Sequence, residues 1–349
     1  MENLVKTGLA SFGMSGLVFH APLIHTNSGF ELSAVLERTK NKAKKYYPGV
    51  KVCRSYDELL ADDNIELIIV NTPDHLHFPM AKKALQAGKH VVVEKPFTQN
   101  YRDAIELTEL ADKNNLVLSV FHNRRWDGDF LTVKKVIGEN MLGRLVEYES
   151  HFDRFRNIIV KDTWKEEAHG GVGTLFNLGS HLIDQIIVLF GRPLSVYANI
   201  FTFRTHGKID DNFELLLEYP DKKVTTRASL LVREPGPRYT IHGTQGSYLK
   251  WGIDPQEEKL KEGKLPTGAK WGVEKEEFWG ILNTTIDGKP FRGPIETIPG
   301  NYHGYYNSVR DSIRNGVTPE VKAEDAAYVI KIINAALESN EKGKRIVLD

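Results

Sequence analysis

Val91-Val92-Val93-Glu94-Lys95-Pro96 decides how the first third of this 349-residue chain is read. Three consecutive β-branched residues describe a strand buried on both faces, as strands of parallel sheets are. The Glu-Lys pair at its carboxyl end, closed by proline, sets a charged amine at the mouth of such a sheet. Open α/β sheets bind their ligands there. Pro96 restricts Lys95 to extended backbone, so the amine projects from a fixed main chain. A solvated lysine after a strand would look the same in isolation, and the flanking sequence has to separate the two.

Upstream, residues 5–11 read as a short strand running into Ser11-Phe12-Gly13-Met14-Ser15-Gly16 and a helix. A dinucleotide-binding turn wants glycine at the first, third and sixth places, for a tight bend, close approach of backbone N–H groups to a pyrophosphate, and packing of helix on strand. Gly13 and Gly16 fill two places and Ser11 replaces the first, so the motif is degraded. Residues 31–36 form a second strand ending in Glu37-Arg38. A carboxylate at that strand end accepts hydrogen bonds from the ribose hydroxyls of NAD, whereas Arg38 and Lys40 would pair with the 2′-phosphate of NADP. The two signals conflict. The balance leans to NAD, because Glu37 repels a phosphate placed beside it.

The alternation continues on either side of Lys95. Ser55-Tyr56-Asp57-Glu58 has capping-box spacing and starts a helix. Residues 66–70 are an apolar strand ending in Asn71-Thr72-Pro73-Asp74-His75-Leu76-His77, and residues 80–87 are helical, with Gly88 as the stop. A helix over 100–113 and a strand over 116–121 follow. Six strands alternating with helices predict a doubly wound parallel sheet. His75 and His77 have no carboxylate or cysteine cluster beside them, so no metal is expected. They are read, with Asn71, Thr72 and Pro73, as lining a cofactor cleft.

Past residue 122 the pattern changes to strands at 145–155, 194–203, 213–219, 223–232 and 238–242 separated by short turns, which argues for an antiparallel sheet. Residues 325–338 carry Ala326, Val329, Ile330, Ile333 and Leu337 at helical spacing. Arg124, Arg125 and Trp126 follow the last parallel strand and are expected to line a cleft between domains. Arg154 lies with His151 and Asp153 on the first strand of the second domain, within expected reach of a substrate. Tyr302, His303 and Tyr306 are read as packing residues, and residues 164–169 as a mobile loop that gates the cleft.

Bulk properties narrow the rest. Lysine plus arginine (46) equals aspartate plus glutamate (46), so no charge excess steers the surface toward nucleic acid or anionic membrane. Cys53 is the only cysteine, which excludes an internal disulfide. The amino-terminal residues lack the features of a secretion signal and no apolar stretch is of bilayer-spanning length, so a soluble cytoplasmic protein is expected.

These motifs, in this order, resemble the Gfo/Idh/MocA oxidoreductase family. The resemblance rests on the degraded glycine turn with Val18-Phe19-His20-Ala21-Pro22, on residues 71–77, on Glu94-Lys95-Pro96 and on Asn123-Arg124-Arg125-Trp126. Gly170-Gly171-Val172-Gly173-Thr174-Leu175 and Leu178-Gly179-Ser180-His181-Leu182-Ile183-Asp184 complete it. Phe19-His20-Ala21-Pro22 and residues 241–247 are similar to the scyllo-inositol dehydrogenase-like branch. The resemblance implies a Rossmann domain over 1–121, which would bind NAD or NADP through residues 11–16, Glu37, Arg38, Asn71, Thr72, Pro73, His75, His77, Glu94, Lys95 and Arg125. It implies a substrate-binding α+β domain over 122–349 with an open, mostly antiparallel sheet, whose outer face forms homodimers or homotetramers. A late helix would pack back toward the first domain.

Hydride transfer from a secondary alcohol needs a base for the hydroxyl proton and a polar group to orient the oxygen. The resemblance implies that Lys95 and His181 fill those roles, in either division, with Asn177, Asp184, Arg124 and Arg154 at the substrate. Asn177 is four residues before His181, on the same face of an α-helix. The family's usual residue there is aspartate; an amide still hydrogen-bonds a hydroxyl but cannot act as a base. The expected substrate is a cyclic polyol, sugar or sugar derivative. Redox-neutral cleavage of glycosides using bound NAD, and a nucleotide-binding sensor without catalysis, are the competing readings.

Overall fold

The computed structural model describes residues 4–160, 163, 166, 167 and 170–348; the expected gating loop at Trp164, Lys165, Ala168 and His169 lies outside them. The chain divides into two compact units. The first comprises Met1–Trp126, Pro255–Trp271 and Asn301–Tyr328, and the second Asp127–Asp254, Gly272–Gly300 and Val329–Asp349.

The first unit carries β1 (Val5–Leu9), β2 (Phe30–Leu36), β3 (Lys51–Cys53), β4 (Leu67–Val70), β5 (His90–Val93) and β6 (Leu118–Val120). They form one sheet in the order β3-β2-β1-β4-β5-β6, and every pairing is parallel. The Lys95 strand lies inside it, between β4 and β6, with Val91, Val92 and Val93 wholly buried. Burying each such valine stabilises the sheet by about 1.5–3 kcal/mol. Local signals set the connections. The Ser55 hydroxyl accepts the Glu58 amide at the start of the helix Tyr56–Leu60. Gly88, at φ +74°, ends the helix His77–Gln86 in a conformation that side chains resist.

A single cut at residue 122 does not describe the division. Two later segments return to the first unit and are held there by specific contacts. Arg314 makes two hydrogen bonds to the Glu66 carboxylate (2.7 and 2.9 Å). Gln256 Oε1 accepts from the Tyr302 amide (2.9 Å) and from Trp271 Nε1 (3.1 Å). Periodicity reports the type of an element and not the partner it packs on, which is why these returns leave no mark in the pattern.

The second unit is built on β7 (Leu145–His151), β8 (Ser195–Phe201), β9 (Asn212–Glu218), β10 (Lys223–Ser229), β11 (Tyr239–Gly243), β12 (Ser247–Lys250), β13 (Gly280–Ile286), β14 (Lys289–Ile295) and β15 (Ile346–Val347). Their order is β14-β13-β12-β11-β7-β10-β9-β8-β15. Neighbours are antiparallel except β7 and β10, which run parallel. The five strands expected from the sequence are β7 to β11; the hairpin β13–β14 was not among them. In β9 the buried side chains are Phe213, Leu215 and Leu217, the alternation of a sheet with one packed face. The helix Ser180–Phe190 packs on that face, where Gly179 lies so close to Phe213 that a Cβ would sit 3.2 Å from the ring. Among the described residues, no helix is long and apolar enough to cross a membrane.

Candidate functional site

In the first unit the strand order reverses between β1 and β4, and the residues expected at a cofactor gather at the carboxyl ends beside that point. Ser11 lies two residues past β1 and is clasped to Asn71, the residue after β4. The Ser11 amide donates to Asn71 Oδ1 (3.0 Å), its hydroxyl to the Asn71 carbonyl (2.8 Å), and Asn71 Nδ2 donates back to the Ser11 carbonyl (2.9 Å). Ser11 thus replaces the first glycine with a side chain that fastens the turn. Gly16 is obligatory: a Cβ there would stand 2.5 Å from the Ser11 carbonyl oxygen and 2.9 Å from Asn71 Nδ2. Gly13 faces open space, with nothing within 4 Å of a Cβ position. Phe12 is buried against Tyr46 and Tyr47, and Met14 is exposed.

This cradle suits a dinucleotide phosphate, which needs bare backbone N–H groups at a helix start. Unsatisfied polar atoms lie nearby. The Thr72 hydroxyl and both carboxylate oxygens of Asp74, just past β4, are buried without a hydrogen-bond partner among the described residues. Pro73 leads into the short 3₁₀ turn Asp74–Leu76, on which His75 is exposed while His77 is buried. His77 sits between two backbone carbonyls, Pro96 O at Nδ1 (2.7 Å) and Thr72 O at Nε2 (3.0 Å). Burial lowers its pKa against the opposing pull of those carbonyls. The ring ties the end of β4 to the loop after Lys95.

Glu37 is engaged elsewhere. It is only 7 % exposed, and its oxygens accept the amides of Lys42 (3.1 Å) and Ala43 (2.8 Å) at the start of the helix Lys42–Tyr46. Arg54 braces the same loop through the carbonyls of Glu37 (2.7 Å) and Lys40 (2.6 Å). Arg38, Thr39 and Lys40 are left exposed.

At the end of β5, Glu94 Oε1 accepts from the Ser15 hydroxyl (2.6 Å) and Oε2 from the Lys95 amide (3.0 Å). Burial pushes the Glu94 pKa up, but the hydrogen bond and charge of His20, the charge of Lys95 and the Ser15 hydroxyl prevail and hold it at about 2. The carboxylate is therefore ionised. Arg124 and Arg125 are buried in this unit. Arg124 is ion-paired with Glu257, and Arg125 donates to the Glu320 carbonyl (2.5 Å). Their charges serve to anchor the returning segments, a task the sequence alone did not suggest.

In the second unit, a π-helical stretch, Leu175–Gly179, runs into the helix Ser180–Phe190. It carries Asn177, while His181 and Asp184 lie on the helix beyond. His181 and Asp184 are buried and Asn177 is exposed. The wider π turn alters the stacking of residues four apart, so the shared face expected for Asn177 and His181 does not follow from their spacing. Asp210 fixes the start of this segment, with Oδ2 accepting the Leu175 amide (2.7 Å). Its other oxygen occupies the space of a side chain at Gly173, where φ is +99° and a Cβ would lie 1.8 Å away. Arg154 stacks over the Phe152 ring at 4.8 Å, and His151 lies within 3.5 Å of Asp153.

Sequence reasoning gave no role to His20, Arg54 or Asp210, and to Tyr306 only one in packing. Tyr306 is wholly buried, as a packing residue would be, yet its hydroxyl meets His20 Nδ1 at 2.6 Å. His20 stood within a quoted motif, and an ionisable ring in an apolar helix is the signal that could have singled it out.

Two sequence-family models match the chain: the NAD-binding Rossmann fold of an oxidoreductase family over residues 5–122, and the C-terminal α/β domain of the Gfo/Idh/MocA oxidoreductases over residues 134–348. The chain is 40 % identical over 348 residues to the scyllo-inositol 2-dehydrogenase (NADP(+)) IolW of Bacillus subtilis, covering 99 % of this chain and 96 % of that one. It is 41 % identical over 339 residues to the oxidoreductase YdgJ of Escherichia coli, with 97 % of each chain covered. Among solved structures, an oxidoreductase from Bacteroides fragilis superposes with a TM-score of 0.92 at 48 % identity, over 99 % of this chain and 100 % of that one.

Proposed function

The chain belongs to the Gfo/Idh/MocA oxidoreductase family, and from that premise we propose that it oxidises a secondary hydroxyl of a cyclic polyol, an inositol foremost, with NADP preferred to NAD. The substrate reading is carried by the full-length likeness to a scyllo-inositol 2-dehydrogenase. The cofactor reading has its own support in the loop after β2. Glu37 is buried, and each of its oxygens already accepts a backbone amide, which turns the carboxylate into its own loop. Exposed Arg38 and Lys40, with the Thr39 hydroxyl between them, offer charge-assisted hydrogen bonds to a 2′-phosphate. That setting weighs against the lean to NAD read from the sequence, and the proposal follows the exposed cations.

Residues 11–16 would receive the pyrophosphate, Arg38 and Lys40 the ribose phosphate, and Thr72 the nicotinamide side. When bound, the dinucleotide supplies the hydride acceptor. His181 takes the hydroxyl proton and Lys95 holds the oxygen, with Asp184 orienting the imidazole and Asn177 hydrogen-bonding a neighbouring hydroxyl. Because an amide cannot shift between charged and neutral forms, Asn177 selects substrate and takes no part in proton transfer. A homodimer or homotetramer fits the outer face of the second unit's sheet, where Tyr197 and Phe201 of β8 are 36 % and 46 % exposed.

The test is the absorbance of reduced nicotinamide with inositols and hexoses, NAD and NADP in parallel. Reduction of NADP by scyllo-inositol, with kcat/KM at least about tenfold above that with NAD, is expected. Turnover with NAD alone would discard the assignment of Arg38 and Lys40, and silence with every polyol would discard the substrate class.

A further inference from the structure

We propose that His20 is a positioning residue. Through the Glu94 carboxylate it fixes the glycine-rich turn at Ser15 and the backbone of Lys95 together, so that dinucleotide affinity and the placement of the reacting amine depend on one buried imidazole. The inference rests on the dehydrogenase reading only for the role of Lys95; the coupling of His20 to the turn stands on the geometry of the first unit.

Glu94 Oε1 lies 3.1 Å from His20 Nε2 and 2.6 Å from the Ser15 hydroxyl, while Oε2 receives the Lys95 amide. One carboxylate therefore joins the turn after β1, the helix that follows it and the end of β5. His20 is wholly buried on the π-helical stretch Gly16–His20, and its Nδ1 meets the Tyr306 hydroxyl. The carboxylate fixes the direction of the bond at Nε2. An ionised carboxylate only accepts, so Nε2 carries a hydrogen; in the neutral imidazole Nδ1 then accepts from Tyr306, itself wholly buried. The titratable groups around the carboxylate are His20, Lys95 and, farther off, His77, Tyr305 and Tyr306. Aromatic packing holds the ring still: the Phe121 centroid is 4.4 Å away, and Tyr306 is itself wedged against Phe30 at 5.5 Å and Tyr305 at 5.3 Å.

Without the imidazole, Glu94 loses one of its hydrogen-bond donors and keeps the Ser15 hydroxyl, its neighbour's amide and the charge of Lys95. A carboxylate whose side chain is only 12 % exposed and that is short of a donor costs more than a lost surface contact, so the turn and the Lys95 backbone both shift to find one. A role in packing alone predicts the reverse ranking of substitutions, and that gives the test. His20→Phe preserves the aromatic contact and removes both hydrogen bonds. His20→Gln loses the ring but retains an amide donor for Glu94 and an acceptor for Tyr306.

NADPH dissociation constants are read by fluorescence titration of the full chain, which needs no substrate and so survives failure of the polyol reading. His20→Phe is expected to raise the constant about tenfold, the scale of a hydrogen bond to a charged group. His20→Gln should stay within about threefold of the parent, with kcat ranked the same way once a substrate is in hand. Undiminished affinity in His20→Phe, or equal damage in a natively melting His20→Gln, overturns the proposal. If His20→Phe does not fold, Ser15→Ala and Glu94→Gln carry the test. Each must weaken NADPH binding, and the double variant must bind no more weakly than Glu94→Gln alone. Additive losses would overturn it.

Discussion

Asp210 keeps its proton up to about pH 6 because burial outweighs the Leu175 amide that donates to it. Since the folded-state pKa lies above the ordinary 3.8, the native chain binds this proton more readily than the unfolded chain does. Stability from this group is therefore full at low pH, falls as pH rises from about 4 to about 6, and stays reduced above. Thermal melts of the parent should show that component, and Asp210→Asn should lose it; equal pH slopes in the two proteins would contradict it. Glu94 behaves oppositely. Held at about 2, it contributes above the ordinary 4.5 and its contribution is lost as pH falls through 2. At the proposed reacting centre, His181→Ala should lower kcat by roughly 10²–10⁴-fold, the range of a general base, with the NADPH dissociation constant nearly unchanged. An unaltered kcat would take the base role away from His181.

At the scale of the element, the turn after β1 shows what was legible in the chain and what was not. Gly13 and Gly16 marked it, and the missing first glycine read as damage, whereas Ser11 and Asn71 form a three-bond clasp across β1 and β4. Pattern shows an absent glycine but not the partner its replacement finds sixty residues on. Gly16→Ala should force that clasp apart; an NADPH dissociation constant raised more than tenfold and a lower melting temperature would be the signs. Strands were legible wherever burial imposed a period: the valines before Lys95 and the alternation of β9 both gave the observed elements. The same logic saw only part of the setting of Glu37. Its place at a strand end was right, but the amides of Lys42 and Ala43 that occupy it arise from a loop bending back, which no spacing encodes. The π stretch before His181 escaped for a related reason, since an extra residue per turn leaves hydrophobic spacing almost intact.

For the whole molecule, the decisive fact is that the chain enters the first unit three times. A fragment of residues 1–122 would contain all six parallel strands and still lack Tyr305, Tyr306 and Arg314, leaving Phe121 without two ring partners and Glu66 without its guanidinium. Such a fragment should show loss of cooperative melting by circular dichroism, whereas the full chain melts cooperatively; a sharp transition in the fragment would mean that the later segments are dispensable.

Synthesis adds a dimension of time to the same threading. The ribosome releases the parallel sheet early, but the residues that close over it are finished only when Tyr328 has been made. At roughly 5–20 residues per second, the interval after Trp126 lasts about 10–40 s. Throughout it the nascent sheet carries exposed aromatic surface, including the ring of Phe121. A stop codon or a translational pause within that window would thus hand the cell's chaperones a half-closed nucleotide fold.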